Sequence, residues 1–493
     1  MYHFAISLPR CLFRGVLACA LALACVGAYA AQDQVQFTEE GFVYIDGQPR
    51  LILGSYELPD DDTVLQELAD NGYNLVRAKA DKAVLDRIHA HGMYAWIPLG
   101  GKLALKEGDT AARAGLAATI EGFKGHPALL SWEGPDEALW LEWFRAYDWI
   151  TSQQPAQLME LLGKAAADQP AEKVAELGVM LDKAIKLSYR GLWKESEALY
   201  DTLWKELAGA NPHPERHVSV CIARAHELGD ELTRGWECVW ELDKRHVFWQ
   251  NHAPGNSIAD MQHHNRAVHA AGCDIYPMPF NTGVRHGQLA DKNVTEVGGY
   301  TDIMDASAPG KACWMVLQGF GWCDLGDRFN PTDPVNGRRP TYDETRFMAY
   351  NALLHGADAI LYWGTHAIEK DSKLWRDLMK VGRELRALEP ALVAPKPATE
   401  PVAVAEGTFA SANGDQVKLV LRQAGDDWVL FAHNESPIGA AFQVSGLPDA
   451  LNGKTLYRLD SDEEHLVEAG GFRDGVRGHD VQVYATSRRF EAE

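Results

Sequence analysis

LILGSYELPDDDTVLQELADNGYNLVRAKADKAVLDRIHAHGMYAWIPLG, residues 51–100, carries the repeating pattern that decides the fold. Short apolar runs alternate in it with stretches whose apolar residues recur at helical spacing. The runs lie at 51–56, 73–78 and 94–99, and the helical stretches at 61–71 and 82–91. Runs of this length favour buried strands, whereas the longer periodic stretches favour amphipathic helices. Because strands that alternate with helices pair in parallel, the pattern predicts an α/β protein.

The alternation continues along most of the chain. Five further strands are predicted at 129–133, 247–251, 273–276, 314–318 and 359–363. Eight such units predict a closed (β/α)₈ barrel, the TIM barrel. The connection between the fourth and fifth strands is far longer than one helix requires. Its central part, about 150–215, is rich in Ala, Leu, Glu and Lys at helical spacing, so we predict a helical insertion after strand 4.

We assign residues 31–390 to the barrel domain, which includes an N-terminal hairpin and the helical insertion, and shorter segments follow it. Residues 36–50 predict a hairpin that turns at Asp46-Gly47. The proline-rich stretch 389–401 predicts a break in helical structure, and we assign 391–401 as a linker. Residues 402–493 contain short alternating runs separated by Asn-Gly and Gly-Gly turns. This pattern predicts a small antiparallel β-sandwich.

The first 30 residues predict a cleavable signal peptide. Arg10 and Arg14 precede an apolar run at 16–27, and Ala28-Tyr29-Ala30 supplies a site of small residues for cleavage after Ala30. The run is too short to span a bilayer, and no longer one exists. We therefore expect an exported protein, periplasmic or extracellular. Lipid anchoring at Cys25 is the less favoured alternative.

Composition and charge exclude several classes of function. The 493 residues carry a formal net charge of −22, which disfavours nucleic acids and anionic membranes as partners. The five cysteines beyond the signal form no CxxC pair, and no phosphate-binding or dinucleotide-binding glycine motif occurs. We therefore expect no metal and no organic cofactor, and the sequence leaves the oligomeric state open.

The candidate chemistry follows the fourth strand. Active sites of such barrels lie at the carboxyl ends of the strands, and residues 126–137, HPALLSWEGPDE, end in the carboxylates Asp136 and Glu137. A carboxyl group beside Trp132 has a partly apolar setting, which raises its pKa towards the range of a general acid. The alternative is that the two carboxylates only cap the next helix.

This stretch resembles the fourth-strand motif of clan A glycoside hydrolases, a barrel superfamily that includes the family 2 and family 42 β-galactosidases. The resemblance implies that Glu137 is the general acid/base and that Asp136 is its hydrogen-bonding neighbour. Similar elements occur in order along the barrel and in a signature common among uncharacterised members. They are Gly54-Ser-Tyr56, His246–Asn251, Asp274–Pro277, Arg339–Glu344, Arg346, Tyr350, Gly356-Ala357 and Tyr362-Trp363.

The chain departs from this family at the seventh strand, where retaining members place a nucleophilic Glu. Gln318 stands there, and an amide cannot act as that nucleophile. Asp274 is our first choice for a second carboxylate because it ends a strand, although a structural hydrogen bond would explain it equally. The other candidates are Asp324, Asp327 and Glu57. Two alternatives to a retaining enzyme remain. The protein is an inverting enzyme, or it is a barrel that binds sugar without hydrolysis.

Aromatic residues at predicted strand ends suit a sugar ligand, because flat rings bind the apolar C–H faces of sugars. The predicted substrate-binding residues are Tyr56, Trp132, Asp136, Asn251, Tyr276, Gln318 and Trp363. For each ring except Trp363, packing in the core is the stronger alternative. The sequence therefore predicts an exported glycoside hydrolase with Glu137 and Asp274 as catalytic residues and a carbohydrate as substrate. The alternative is a catalytically inactive carbohydrate-binding barrel.

Overall fold

The computed structural model describes residues 34–279, 293–326, 337–405 and 417–492. Its central element is a closed barrel of eight parallel strands, β3 to β10. The strands are β3 (Ile52–Ser55), β4 (Leu75–Arg77), β5 (Tyr94–Pro98), β6 (Leu129–Glu133), β7 (Val247–His252), β8 (Ala270–Ile275), β9 (Ala312–Gln318) and β10 (Ala359–Trp363). Each strand pairs with its neighbours in chain order, and β10 closes the ring against β3. The predicted barrel is confirmed.

The short hairpin of β1 (Val43–Ile45) and β2 (Gln48–Arg50) precedes the barrel. The first three strands of the barrel, β3, β4 and β5, are followed by helices α1 (Asp62–Asp70), α2 (Lys82–Ala90) and α3 (Thr110–Phe123), respectively. Each of these helices begins after an aspartate whose carboxylate accepts a hydrogen bond from the first turn. Asp61 accepts from the Thr63 amide, Asp81 from Ala83 and Asp109 from Ala112. These caps end the loop and start the helix at a fixed residue.

The helical insertion lies between β6 and β7, as predicted. It comprises α4 (Ala138–Asp148), a π-helical turn (Trp149–Gln153), α5 (Gln154–Ala165), α6 (Ala171–Tyr189) and α7 (Trp193–Ala208). The long helix α8 (Val218–Leu242) then returns the chain to the barrel. The insertion has its own apolar core, in which Trp149 stacks on Trp204 with ring centroids 6.2 Å apart. The aromatic residues of this segment at Tyr200 and Trp204 are therefore packing residues.

The second half of the barrel completes its helical layer. It adds α9 (Ile258–His264), α10 (Glu296–Ser307), α11 (Tyr342–Leu354) and α12 (Lys373–Leu392). Helix α12 continues through Pro390, so the expectation that the stretch 389–401 excludes a helix is wrong at its start. Pro390 lies in the last turn and removes only one main-chain donor. Leu388 and Ala391 on either side are buried against the barrel, and this packing outweighs the lost bond.

Two antiparallel sheets form the C-terminal sandwich, which confirms the predicted fold of this region. Strands β11 (Val402–Ala405), β14 (Ala440–Ser445) and β17 (Phe472–Val476) form one sheet, and β12 (Val417–Ala424), β13 (Asp427–Asn434), β18 (Asp480–Ala485), β15 (Thr455–Arg458) and β16 (Glu464–Leu466) form the other. The predicted Asn413-Gly414 turn lies outside the described residues. Among the residues that the structure describes, no helix combines the length and the apolar character needed to cross a bilayer.

Arg346 and Tyr350, two residues of the signature noted in the sequence, join the barrel to the sandwich. The Arg346 guanidinium donates to the Glu384 carboxylate at 2.6 Å and to the main-chain oxygen of Val481 at 2.6 Å. Tyr350 donates its hydroxyl to the same carboxylate at 2.7 Å. These contacts connect α11, α12 and β18, which assigns this part of the signature to the junction between the domains.

Candidate active site

Glu137 lies where the chain leaves the carboxyl end of the barrel and enters helix α4. It occupies the N-cap position of that helix with a left-handed backbone, φ 48° and ψ 28°, and its side chain makes no capping hydrogen bond. Its amide donates to the main-chain oxygen of Asn251 at the end of β7 (3.3 Å). A residue other than glycine is uncommon in this conformation and marks a constrained position. The side chain is partly buried.

The carboxyl groups of Glu137 and Asp274 hydrogen-bond to each other. Asp274 ends β8 and is 9% exposed. Burial and the nearby charge of Asp136 raise the pKa of Glu137 to about 7, although the hydrogen bond to Asp274 opposes this rise. Burial, Asp136 and Glu137 also raise the pKa of Asp274. Because two adjacent anions repel, the pair favours states in which at least one of the two carboxyl groups is protonated.

Asn251 connects this pair to Asp136. Its side-chain amide donates to the Asp136 carboxylate at 2.8 Å and to the Asp274 carboxylate at 2.7 Å. The oxygen of the same side-chain amide, Oδ1, is buried and has no hydrogen-bond partner within the described part of the chain. The structure therefore brings together four of the predicted site residues at the ends of β6, β7 and β8. They are Asp136, Glu137, Asn251 and Asp274.

A second buried carboxylate, Glu133, lies inside the barrel at the end of β6. It is 0% exposed and accepts hydrogen bonds from Arg77 Nε at 2.9 Å and from Trp96 Nε1 at 3.2 Å. Burial raises its pKa to about 8, although Arg77 acts in the opposite direction. Sequence reasoning missed Glu133. The sequence does contain a signal for it, because a charged residue ends each of two apolar strands. These residues are Glu133 on β6 and Arg77 on β4.

Aromatic rings border the carboxylates on the side of β8 and β10. Tyr276 stacks on Trp363 with ring centroids 5.5 Å apart and planes 17° apart. Phe320 packs edge-on against both rings. Trp363 is partly exposed. Tyr56 packs edge-on against Trp96 at 5.2 Å, beneath the Arg77 guanidinium. Tyr276 is buried, at 4% exposed, so Trp363 is the ring of this stacked pair that reaches the surface.

Trp132 lies apart from this cluster, which corrects its prediction as a substrate-binding residue. It is fully buried, and its indole donates to the Asp243 carboxylate at 2.8 Å. Side chains alternate along a strand, so Trp132 faces the outer layer of helices while its neighbour Glu133 faces the barrel interior. The residue packs the barrel instead of facing a ligand.

Gln318 has a structural role at the seventh-strand position where the resemblance noted in the sequence would place a nucleophile. Its amide nitrogen donates to the main-chain oxygens of Met278 (2.7 Å) and Phe320 (3.0 Å), and its oxygen accepts from the Met278 amide (2.9 Å). The side chain is 0% exposed. We therefore assign Gln318 to holding the segments after β8 and β9 together, and not to contact with substrate.

The other proposed second carboxylates are paired elsewhere. Asp324 binds the Arg339 guanidinium at 2.9 Å and the Gly321 amide at 2.7 Å. Glu57 binds the Lys370 ammonium at 2.5 Å. Asp327 lies outside the described residues. Asp274 is thus the candidate that the structure places beside Glu137.

Two clusters in the described residues could offer ligands to a metal ion, and neither contains a residue of this site. One is formed by His355, His433 and Glu435 at the junction of barrel and sandwich. The Lys418 ammonium already binds Glu435 there at 3.0 Å. The other is formed by Glu463, His465 and Asp474 within the sandwich. A cavity of about 650 Å³ also lies at the junction, lined in part by His355, Asp358 and Arg422.

Comparison with known proteins gives a likeness of fold. No family model matches the chain, and no curated protein matches its sequence. Three solved structures match it with a TM-score of 0.50, and each match extends over 92% of this chain. A family 5 glycoside hydrolase from Bacteroides vulgatus is 13% identical and covered over 93% of its chain.

A family 42 β-galactosidase from G. stearothermophilus is 11% identical and covered over its whole chain. A further structure, titled only as a glycoside hydrolase, is 12% identical and covered over 96% of its chain. At this level of identity the likeness is one of fold. The chain has the barrel fold found in these glycoside hydrolases.

Proposed function

We propose that this protein is a glycoside hydrolase that cleaves O-glycosidic bonds of an oligosaccharide or polysaccharide, with Glu137 as general acid/base. The observation that carries the proposal is the hydrogen-bonded carboxyl pair of Glu137 and Asp274 at the carboxyl end of the barrel. Glycoside hydrolysis requires two carboxyl groups, one protonated and one ionised, and such a pair supplies both states.

In the proposed reaction, Glu137 donates its proton to the leaving-group oxygen as the glycosidic bond breaks. Asp274 attacks the anomeric carbon and forms a covalent glycosyl ester. Glu137, now ionised, then takes a proton from water, and the resulting hydroxide equivalent releases the sugar from Asp274. The close approach of the two carboxyl groups is nearer to the separation of about 5–5.5 Å in retaining enzymes than to the about 6.5–9.5 Å of inverting ones, and a bound sugar would have to separate the pair.

The neighbouring groups fit this assignment. The Asn251 amide, which binds Asp136 and Asp274, fixes the orientation of the Asp274 carboxylate. Trp363, which is partly exposed and stacks on the buried ring of Tyr276, offers a flat apolar surface for a sugar face. We also propose that the protein is exported, because its first 30 residues have the pattern of a signal peptide.

A comparison of leaving groups tests the role of Glu137. Glu137→Gln should lower kcat/KM about 10²–10⁴-fold on an oligosaccharide, whose leaving group needs a proton. On a 2,4-dinitrophenyl glycoside of the same sugar the loss should be much smaller, because that leaving group departs unprotonated. Asp274→Asn should abolish turnover of both substrates. Equal losses on both substrates in Glu137→Gln would contradict the role of acid.

A second candidate function is sugar binding without hydrolysis, and Gln318 favours it. The amide at the nucleophile position is held by three main-chain hydrogen bonds, so this position has no catalytic carboxylate. Calorimetric titration with oligosaccharides separates the two functions. Tight binding without any turnover in the unsubstituted protein would support the binding protein.

A further inference from the structure

A row of aromatic side chains runs along the helical insertion from the residues next to Glu137. Trp140, Phe144 and Tyr147 lie on helix α4, which begins one residue after Glu137. Their spacing of four and three residues places them on one face of the helix. Trp193, the first residue of α7, adds a fourth ring against Tyr147, with centroids 6.4 Å apart. We call these four residues the aromatic row.

Trp140, Phe144 and Tyr147 lie outside the apolar clusters of the described residues, whereas Trp193 packs against the core of the insertion. Phe144 is 43% exposed and Tyr147 is 53% exposed, and Trp140 and Trp193 are partly exposed. The buried face of α4 is a different one and includes Leu139, Ala146 and the adjoining Trp149. The packing of the helix therefore does not require the exposed rings, since its opposite face already supplies the apolar contacts.

We propose that the aromatic row binds the leaving-group side of a neutral polysaccharide chain. This inference rests on the proposed function. Because Glu137 would protonate the leaving-group oxygen, the sugar units on that side of the broken bond lie beside residue 137 and next to the start of α4. The row begins at this point and continues for about 10 Å along the helix, at 1.5 Å per residue, which is long enough for more than one sugar ring.

The chemistry of the row favours a carbohydrate. Its members are rings that present flat faces and, in Tyr147, a hydroxyl group, which suit the C–H faces and hydroxyl groups of sugars. Trp140 and Phe144 already form a pair with centroids 5.8 Å apart. The carboxylates Glu142 and Asp148 on the same helix, together with the net charge of −22, disfavour a polyanionic chain. A neutral polymer is the substrate class that follows.

Binding is tested in the Glu137→Gln protein, where no substrate is consumed. Affinity electrophoresis in gels that contain galactomannan, xylan, galactan or mixed-linkage β-glucan measures retardation by each polymer. Phe144→Ala with Tyr147→Ala should weaken the binding of the retarding polymer about tenfold or more. The matched control is Met159→Ala with Val179→Ala, which removes exposed apolar side chains of the same insertion outside the row. The control should bind as the parent does.

Kinetics in the otherwise unsubstituted protein provide a second measurement. The double substitution in the row should lower kcat/KM on the polymer about tenfold more than on a 4-nitrophenyl monosaccharide. Retardation by none of the four polymers, or equal losses on both substrates, overturns the proposal. So does a change of oligomeric state in size-exclusion chromatography, which would make the row a contact between copies of the chain. If the protein had no turnover but its retardation by a polymer still depended on the aromatic row, the proposed hydrolase activity would be refuted. The aromatic row would then remain a polysaccharide-binding site.

Discussion

The carboxyl groups of Glu137, which follows β6, and of Asp274 on β8 share a hydrogen bond although the two residues lie 137 positions apart in the sequence. Neither group has a basic side chain as its partner in this contact, so the pair is stabilised by retaining a proton. The ionisation of one carboxyl group consequently depends on the other, and the apparent pKa values belong to the pair.

The first prediction concerns the pH dependence of turnover. Glu137 must be protonated to act as acid, and its pKa is raised to about 7, so kcat/KM should fall about tenfold per pH unit above neutrality. The charge of Asp136 contributes to this rise. Asp136→Asn should therefore move the alkaline limb of the profile to lower pH, by about 0.5–1 unit.

Profiles of kcat/KM against pH, measured on one oligosaccharide, check this shift. Asp182→Asn is the matched control, because Asp182 is an exposed carboxylate on α6, far along the insertion. Its profile should coincide with that of the parent protein. An alkaline limb that stays in place in Asp136→Asn, or moves to higher pH, would refute the electrostatic role of Asp136.

The second prediction concerns the position of the missing nucleophile. Gln318→Glu should destabilise the protein and should not raise its activity. The Gln318 amide donates to the main-chain oxygens of Met278 and Phe320, whereas an ionised carboxylate has no hydrogen to donate and would face both oxygens. Loss of these buried hydrogen bonds should cost about 2–4 kcal/mol in the free energy of unfolding.

Denaturant unfolding measures this cost, and Gln423→Glu is the control at an exposed amide. The control should change the free energy of unfolding by less than about 0.5 kcal/mol. If Gln318→Glu folded with unchanged stability and gained turnover, the position would be an inactivated nucleophile site, and the structural role assigned to the amide would be wrong.

The barrel was predictable because its signal is local and repeated. Each strand is a short apolar run and each helix has periodic apolar residues, so the eight predicted strands overlap the eight observed ones. The position of Glu137 at the end of β6 followed from the same pattern. Its contact with Asp274 did not, because closing the barrel brings together side chains that no local pattern relates.

The direction in which a strand's side chains point, into the barrel or towards the helices, was harder to predict than the position of the strand along the chain. Trp132 and Glu133 are adjacent, and a shift of one residue in the inward-facing set exchanges their environments. Trp132 therefore seemed a site residue, while Glu133 was overlooked. Arg346 and Tyr350 likewise belonged to a signature with no evident role until their contacts with Glu384 and Val481 located them between the barrel and the sandwich.

The third prediction distinguishes the roles of Trp363 and Trp132. Trp363→Leu should raise KM on an oligosaccharide about tenfold, because it removes the ring that stacks on Tyr276 beside the carboxylates. Trp132→Phe should leave KM unchanged. It should lower the free energy of unfolding by about 1–2 kcal/mol, because the Asp243 carboxylate loses a buried donor. If Trp132→Phe raised KM and Trp363→Leu left it unchanged, the roles assigned to the two residues would be wrong.

The fourth prediction concerns Glu133 and stability. Burial raises the pKa of Glu133 to about 8 in the folded protein, whereas the unfolded chain has an ordinary carboxyl pKa near 4.5. The folded state thus binds the proton more tightly. The stabilisation is complete below about pH 4.5 and is lost as pH rises to about 8. Since each pKa unit corresponds to about 1.4 kcal/mol and the pKa rises from 4.5 to about 8, the loss over the whole range should be on the order of 5 kcal/mol.

Glu133→Gln should abolish this part of the pH dependence, because a glutamine keeps an acceptor for Arg77 Nε and does not titrate. Denaturant unfolding at about pH 5 and about pH 8 gives the difference for each protein, and Glu172→Gln on the exposed face of α6 is the control. The control should retain the full loss of stability on raising the pH. A loss of stability in Glu133→Gln equal to that of the parent would mean that the Arg77 guanidinium, 2.9 Å away, keeps Glu133 ionised throughout this range. The carboxylate would then act as a fixed counter-ion in the barrel interior and not as a buried acid.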